Sequence, residues 1–392
     1  MKTTKNITQG ENIMKRTFRL TRLIAITGMA CLATTMSAQA VVTIETVTIG
    51  NPGNGPDTNT SGNVIAAPEG AGAVGYVYEM GKYEVTQGQY TEFLNAVGAT
   101  DTFGLYHPGM FDDPALSEED GGDGKTTGMI SQSGVSGSFT YSADPSAVNR
   151  AVNFTGWGDA ARFANWMHNG QPSGLQDNST TEDGSYFING MNLNSELYAV
   201  TRKTGATWVI PTEDEWYKAA YHKNDGVTDN YWDMPMQNDL DPGANPDDDP
   251  VYAGGADITE ATNPGNNHNH WTDGNDPIDG VWRITNVGQF NQSVSAYGTF
   301  DQAGNVFEWN ETQESPDSDD GLISARGVRG QGFGSGAGHN SGARRTFTTQ
   351  FFAKTDRSDF GFRMARVPEP SSLALLLATA GALSCLTWRM QK

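Results

Sequence analysis

The chain has 392 residues, of which 36% are hydrophobic and 47 are glycine, and its formal net charge is -21. That length allows one large domain or two ordinary ones, and the glycine content describes a loop-rich globular protein with a modest core. Six basic residues and one acidic residue precede Val41, and two basic and one acidic follow Arg366. Positions 41–366 therefore hold 17 basic against 44 acidic residues, a net charge of -27. Such a surface repels nucleic acid and anionic membrane and favours divalent cations, while most of these carboxylates serve as a solvated face. The only cysteines are Cys31 and Cys385. Between them there is no disulfide, no thiolate metal site and no cysteine nucleophile.

Residues 1–40 read as a secretory signal peptide. Lys15, Arg16, Arg19 and Arg22 precede an apolar run from Leu23 to Ala33, and Ala38, Gln39 and Ala40 supply an A-x-A cleavage site. The alternation in VVTIETVTIG predicts a strand, and Val74 to Tyr78 a second short one. Thr86 with Gln89 forms a capping box for a helix whose Tyr90, Phe93, Leu94 and Val97 recur at helical spacing and which Gly98 stops. Asp101 to Asn149 reads as loops with a few short strands, and its acidic cluster Glu118, Glu119, Asp120 and Asp123 as a solvated loop. Thr155 opens a second helix, with Ala161, Phe163, Ala164, Trp166 and Met167 turned inward and Gly170 ending it. A third begins at Thr212, capped with Glu215, and buries Trp216, Ala219 and Ala220.

From Asn224 to Ile284 the chain is dominated by Asp, Asn, Gly and Pro. His268 and His270 are too few to define a transition-metal site. Next comes YGTFDQAGNVFEWN, Tyr297 to Asn310. Here Asp301, Gly304, Val306 and Glu308 are spaced so that two carboxylates and two main-chain carbonyls could converge on one hard cation. An Asp- and Gly-rich turn followed by an edge strand satisfies the same spacing. Three helices scattered through loops and short strands, without an internal repeat, point to an α+β fold with few regular elements.

Six blocks, in order, resemble the formylglycine-generating enzyme or sulfatase-modifying factor family. They are MGKYEVTQGQYTEFLNAV, VNFTGWGDAARFANWMHNG, VIPTEDEWYKAAYHK, GNVFEW, RGVRGQGF and DFGFRMAR, spanning about Val74 to Arg366. The resemblance implies one domain, residues 41–366, with an elaborated C-type-lectin-like fold. It also implies that Asp301, Gly304, Val306 and Glu308 bind a structural calcium ion, the two middle residues through their carbonyls. A second calcium site would fall loosely near Asn269 and Asp273.

The family's oxidase converts a sulfatase cysteine to formylglycine using two cysteines that bind copper(I). Here those positions fall near Ser335 and Asn340, so copper is not expected, and His339 is the one metal-binding side chain nearby. No catalytic residue is assigned. Three functions follow: a non-catalytic exported binding protein for a glycan or peptide, an oxidoreductase of the same family with altered, non-thiol chemistry, and a structural envelope protein cross-bridged by calcium.

Residues 367–392 run from Val367, Pro368, Glu369 and Pro370 into an apolar stretch, Leu373 to Trp388, closed by Arg389 and Lys392. This order resembles the PEP-CTERM sorting signal. It implies export in a Gram-negative bacterium, a short transmembrane helix, recognition by an exosortase-type protease, and a destination in the cell envelope or extracellular matrix.

Overall fold

The computed structural model describes residues 41–58, 70–111, 128–226, 229–239, 268–269, 284–313, 324–333, 343–345 and 349–368. Their secondary structure is mixed. Strands β1 (Thr46–Ile49) and β2 (Tyr78–Gly81) are followed by helix α1 (Gln87–Val97), a 3-10 turn at Pro108–Met110, and the hairpin β3 (Ile130–Ser133) and β4 (Thr140–Ala143). Helices α2 (Trp157–His168) and α3 (Asn194–Ala199), strand β5 (Trp208–Val209) and helix α4 (Glu213–Tyr221) come next. Strands β6 (Phe307–Gln313), β7 (Ala325–Arg329), β8 (Thr349–Phe352), β9 (Phe360–Gly361) and β10 (Ala365–Arg366) complete the series. One sheet runs β1-β2-β10-β5 and another β8-β7-β6-β9, with β3-β4 as a separate ribbon. Among these strands every pairing is antiparallel except β6 with β9. Among the described residues no helix is long and apolar enough to cross a membrane; the apolar stretch from Leu373 lies outside them.

Local chemistry sets the helix ends. The Thr86 hydroxyl accepts from the Gln89 N–H at 3.2 Å while the Gln89 side chain accepts from the Thr86 N–H at 2.9 Å, and the Gly98 N–H closes α1 on the Leu94 carbonyl at 2.7 Å. Thr212 and Glu215 do the same for α4, at 3.1 and 2.7 Å. Each box satisfies two backbone donors that the helix cannot.

Two expectations need correction. The second helix starts from Gly156, not Thr155, because Thr155 is buried and committed elsewhere. Its hydroxyl donates to the Phe360 carbonyl at 3.3 Å and its carbonyl accepts from the Trp309 indole at 2.8 Å, leaving Asp159 to cap the Gly156 N–H at 2.9 Å. The second strand is Tyr78–Gly81 instead of Val74–Tyr78, since the segment that pairs is the one facing both β1 and β10.

The main core packs α1 against α2 and against Phe362, in the link between β9 and β10. Tyr90, Phe93, Phe163, Trp166 and Phe362 form a continuous run of ring contacts with centroids 5.2–6.3 Å apart. Trp309 meets Phe360 edge-on at 5.4 Å, which fastens β6 to β9. Such edge-to-face pairs add to the apolar area they bury.

Candidate metal centre

A turn of unusual backbone leads into β6. Asp301, Gly304 and Asn305 all have positive φ, at 59°, 77° and 63°. At Gly304 a side chain is excluded twice over, by the left-handed backbone and by the Asn269 carbonyl and His268 ring, which a Cβ would strike. The turn is pinned by the Gly304 N–H to the Gly330 carbonyl at 2.6 Å, by the Asn305 N–H to the Asn269 carbonyl at 2.9 Å, and by the Phe333 N–H to the Asn305 carbonyl at 2.8 Å. Two neighbours at this turn, His268 and Asn269, therefore come from the Asp- and Asn-rich stretch, and Gly330 from the block after β7. No hydrogen bond reaches the carbonyls of Gly304 or Val306 from the described residues.

The carboxylates are deeply buried. Glu308 is 0% exposed and ion-pairs with Arg363, also 0% exposed. Arg363 Nε donates to Oε2 at 2.5 Å and Nη2 to Oε1 at 2.6 Å, and the Trp216 indole donates to Oε2 at 2.7 Å. Arg363 is further held by the Gly81 carbonyl at 3.0 Å and the Phe300 carbonyl at 2.8 Å. Asp301 accepts from the Gly288 N–H at 2.5 Å. Burial pushes its carboxyl up to about 6, opposed by that hydrogen bond and by Arg363. Glu84 was not singled out from sequence, yet it joins the group. It accepts from the Asn305 carboxamide at 3.0 Å, and burial, then the charges of Asp301 and Glu308, hold its carboxyl well above the usual carboxylate range. Its one sequence signal is an acid placed between Tyr83 and Val85, just before a helix cap.

Chemically this is a set of hard oxygen donors. No group of three or more His, Cys, Asp or Glu side chains suited to a metal is present among the described residues. The residues do fit a hard divalent cation in one respect: buried acids outnumber the one guanidinium, and two carbonyls at a constrained turn receive no donor from the described residues. Glu308 fits less well, since Arg363 and Trp216 already take both its oxygens.

Of the other expected residues, Asn269 is buried at the same turn, its carboxamide donating to that of Asn305 at 3.2 Å. His268 packs against Gly304. Asp273, His270, Ser335, His339, Asn340 and the cluster Glu118–Asp123 lie outside the described residues. The framework flanking Ser335 and Asn340 is described: Arg329 ion-pairs with Glu213 and lies 5.2 Å from the centre of the Tyr217 ring, and Arg345 ion-pairs with Asp57 and with Asp233 at 2.7 Å.

Few helices, many loops and two small sheets locked by buried ion pairs define a formylglycine-generating-enzyme-type fold. The chain belongs to that family, matching the profile of the sulfatase-modifying factor enzyme 1-like domain over residues 33–368. A comparison with curated proteins finds no match of significance. Solved structures are similar at low identity. Treponema denticola variable protein 1 is 16% identical, covering 84% of this chain and 98% of that one with a TM-score of 0.43. CarF is 16% identical, covering 84% and 100% with a TM-score of 0.45. PvdO from Pseudomonas aeruginosa is 15% identical, covering 83% and 93% with a TM-score of 0.41.

Proposed function

We propose that this chain is an exported, non-catalytic member of the family, acting as a calcium-stabilised binding or matrix protein of the cell envelope. One observation carries the reading: the sequence has no cysteine between Cys31 and Cys385. The positions corresponding to the copper(I) thiolates fall near Ser335 and Asn340. A serine hydroxyl does not ionise near neutral pH, and a carboxamide is a hard donor, so neither replaces a soft thiolate.

The calcium part rests on Asp301 and on the carbonyls of Gly304 and Val306, with Glu308 as a less available fourth ligand. Calcium bound there would be held by oxygens alone and would tie the turn to β6, stabilising a disulfide-free domain by mass action. Export, processing by an exosortase-type protease and an envelope destination rest on the leader and on the Pro368–Glu369–Pro370 tail.

For the ligand, a cleft of about 520 Å³ opens beside the start of α1, lined in part by Val42, Glu45, Gln89, Glu92 and Val287. Carboxylates set among apolar side chains suit a basic peptide or a neutral glycan better than an anionic polysaccharide. Titrating the protein with copper(I) under anaerobic conditions tests the non-catalytic reading. The expected result is no stoichiometric binding; tight one-to-one binding would restore the oxidase.

A further inference from the structure

We propose that Glu84 is a further ligand of the divalent cation, forming with Asp301 a carboxylate pair beside the less available Glu308. This rests on the calcium reading above and adds to it a residue outside the GNVFEW motif.

Glu84 is 2% exposed, and while its Oε1 accepts from Asn305, its Oε2 is buried with no hydrogen-bond partner among the described residues. A buried carboxylate oxygen without a donor is strongly disfavoured, so it calls for a positive partner. Backbone pairing brings Glu84 to the turn that carries Asp301: the Phe300 N–H donates to the Lys82 carbonyl at 2.9 Å, and Asn305 of the same turn reaches Glu84 itself. Glu308, by contrast, already receives three donors, two from Arg363 and one from Trp216.

The charge balance points the same way. The groups facing one another are Glu84 ahead of α1, Asp301 in the turn, Glu308 on β6 and Arg363 between β9 and β10. Three carboxylates against one guanidinium leave an excess of two negative charges, which one divalent cation neutralises. Arg363 neutralises Glu308, so the remaining two charges sit on Glu84 and Asp301. The Gly304 and Val306 carbonyls bring the oxygen donors to four, and water supplies the rest of a six- to eight-oxygen shell.

Calorimetric titration of calcium into the EDTA-stripped full chain, beside Glu84→Gln, tests this. Wild type should bind about one equivalent, and Glu84→Gln should bind about tenfold or more weakly. Glutamine keeps the shape and the Asn305 contact while removing a buried charge. The variant's melting temperature in EDTA should therefore hold or rise, and only the calcium-induced increase should shrink. A purely structural Glu84 would give the opposite pattern, a lower melting temperature in EDTA with the calcium increase intact, and that overturns the proposal. If wild type binds no calcium, the calcium reading itself fails. If wild type binds and Glu84→Gln binds equally well, Glu84 alone is excluded. Should Glu84→Gln not fold, anomalous scattering from wild-type crystals grown with terbium decides. A peak about 2.3–2.6 Å from the Glu84 carboxylate supports the assignment, and a peak away from it refutes it.

Discussion

Arg363 grips Glu308 with two parallel hydrogen bonds, Nε to Oε2 at 2.5 Å and Nη2 to Oε1 at 2.6 Å, in a place where neither side chain is exposed. The pair joins the GNVFEW strand to the closing GFR segment, and through the Gly81 carbonyl it also reaches β2. Replacing Arg363 with Met strands a buried carboxylate and should cost about 3–5 kcal/mol. Arg363→Lys should recover part of that loss, since it keeps the charge but not the fork. Urea unfolding of the three proteins checks the order, and equal stability of Arg363→Met and wild type would show the pair to be dispensable.

The metal-free domain should lose stability as pH rises through the window in which Asp301 titrates. Its folded value, about 6, lies above the ordinary 3.8, so over that interval the native state binds more protons than the unfolded chain. Stability then falls with increasing pH. Glu84, raised in the same direction, extends the trend upward. Unfolding in EDTA at pH 5 and pH 7.5 should show the contribution, and Asp301→Asn should flatten the slope. Calcium should stabilise more at the higher pH, where the carboxyls it displaces protons from are already ionised. A wild-type slope matched by Asp301→Asn would contradict this account.

Gly304→Ala should be among the most damaging single-methyl changes in the chain. The φ of 77° disfavours alanine, and the new Cβ would meet the Asn269 carbonyl and lie 2.8 Å from the His268 ring. A loss of roughly 2 kcal/mol or more is expected, together with a smaller calcium effect because the turn carries two of the carbonyl ligands. Thermal melts with and without calcium measure both.

Thr212→Ala should cost about 1 kcal/mol, the usual worth of a side-chain cap. The partner half of the box makes the prediction sharper. Glu215 also ion-pairs with Arg202 at 2.8 Å, and burial opposed by Arg202 leaves its carboxyl lowered. Glu215→Gln should therefore cost more than Thr212→Ala, and the reverse order in denaturant unfolding would sink this assignment.

How much of this was legible beforehand depended on range. The caps of α1 and α4 involve residues three apart, so Thr86–Gln89 and Thr212–Glu215 announce themselves in sequence. Thr155 looks equally good as a cap, but its hydroxyl and carbonyl are claimed by Phe360 and Trp309, more than a hundred residues away, and nothing local reveals that. Helix α3 has six residues and only Leu197 buried, too short for a periodicity to register. Strands β5, β9 and β10 have two residues each and exist only through their partners. In the candidate site, Asp301 and Glu308 stand out because the GNVFEW segment is dense in special residues. Glu84 lies far from them along the chain and meets them only once the segment after β2 has paired with Phe300 and Phe362, and Arg363 passes as one more basic residue until its burial is known.

The central claim is that loss of the thiol pair removed the family's chemistry. It is tested most directly by giving the purified protein copper, oxygen and a Cys-x-Pro-x-Arg peptide and following the peptide by mass spectrometry beside a working control enzyme. The account predicts an unchanged thiol and no aldehyde product. Conversion of the cysteine to formylglycine would show that the reaction runs without cysteines near Ser335 and Asn340, and would contradict it.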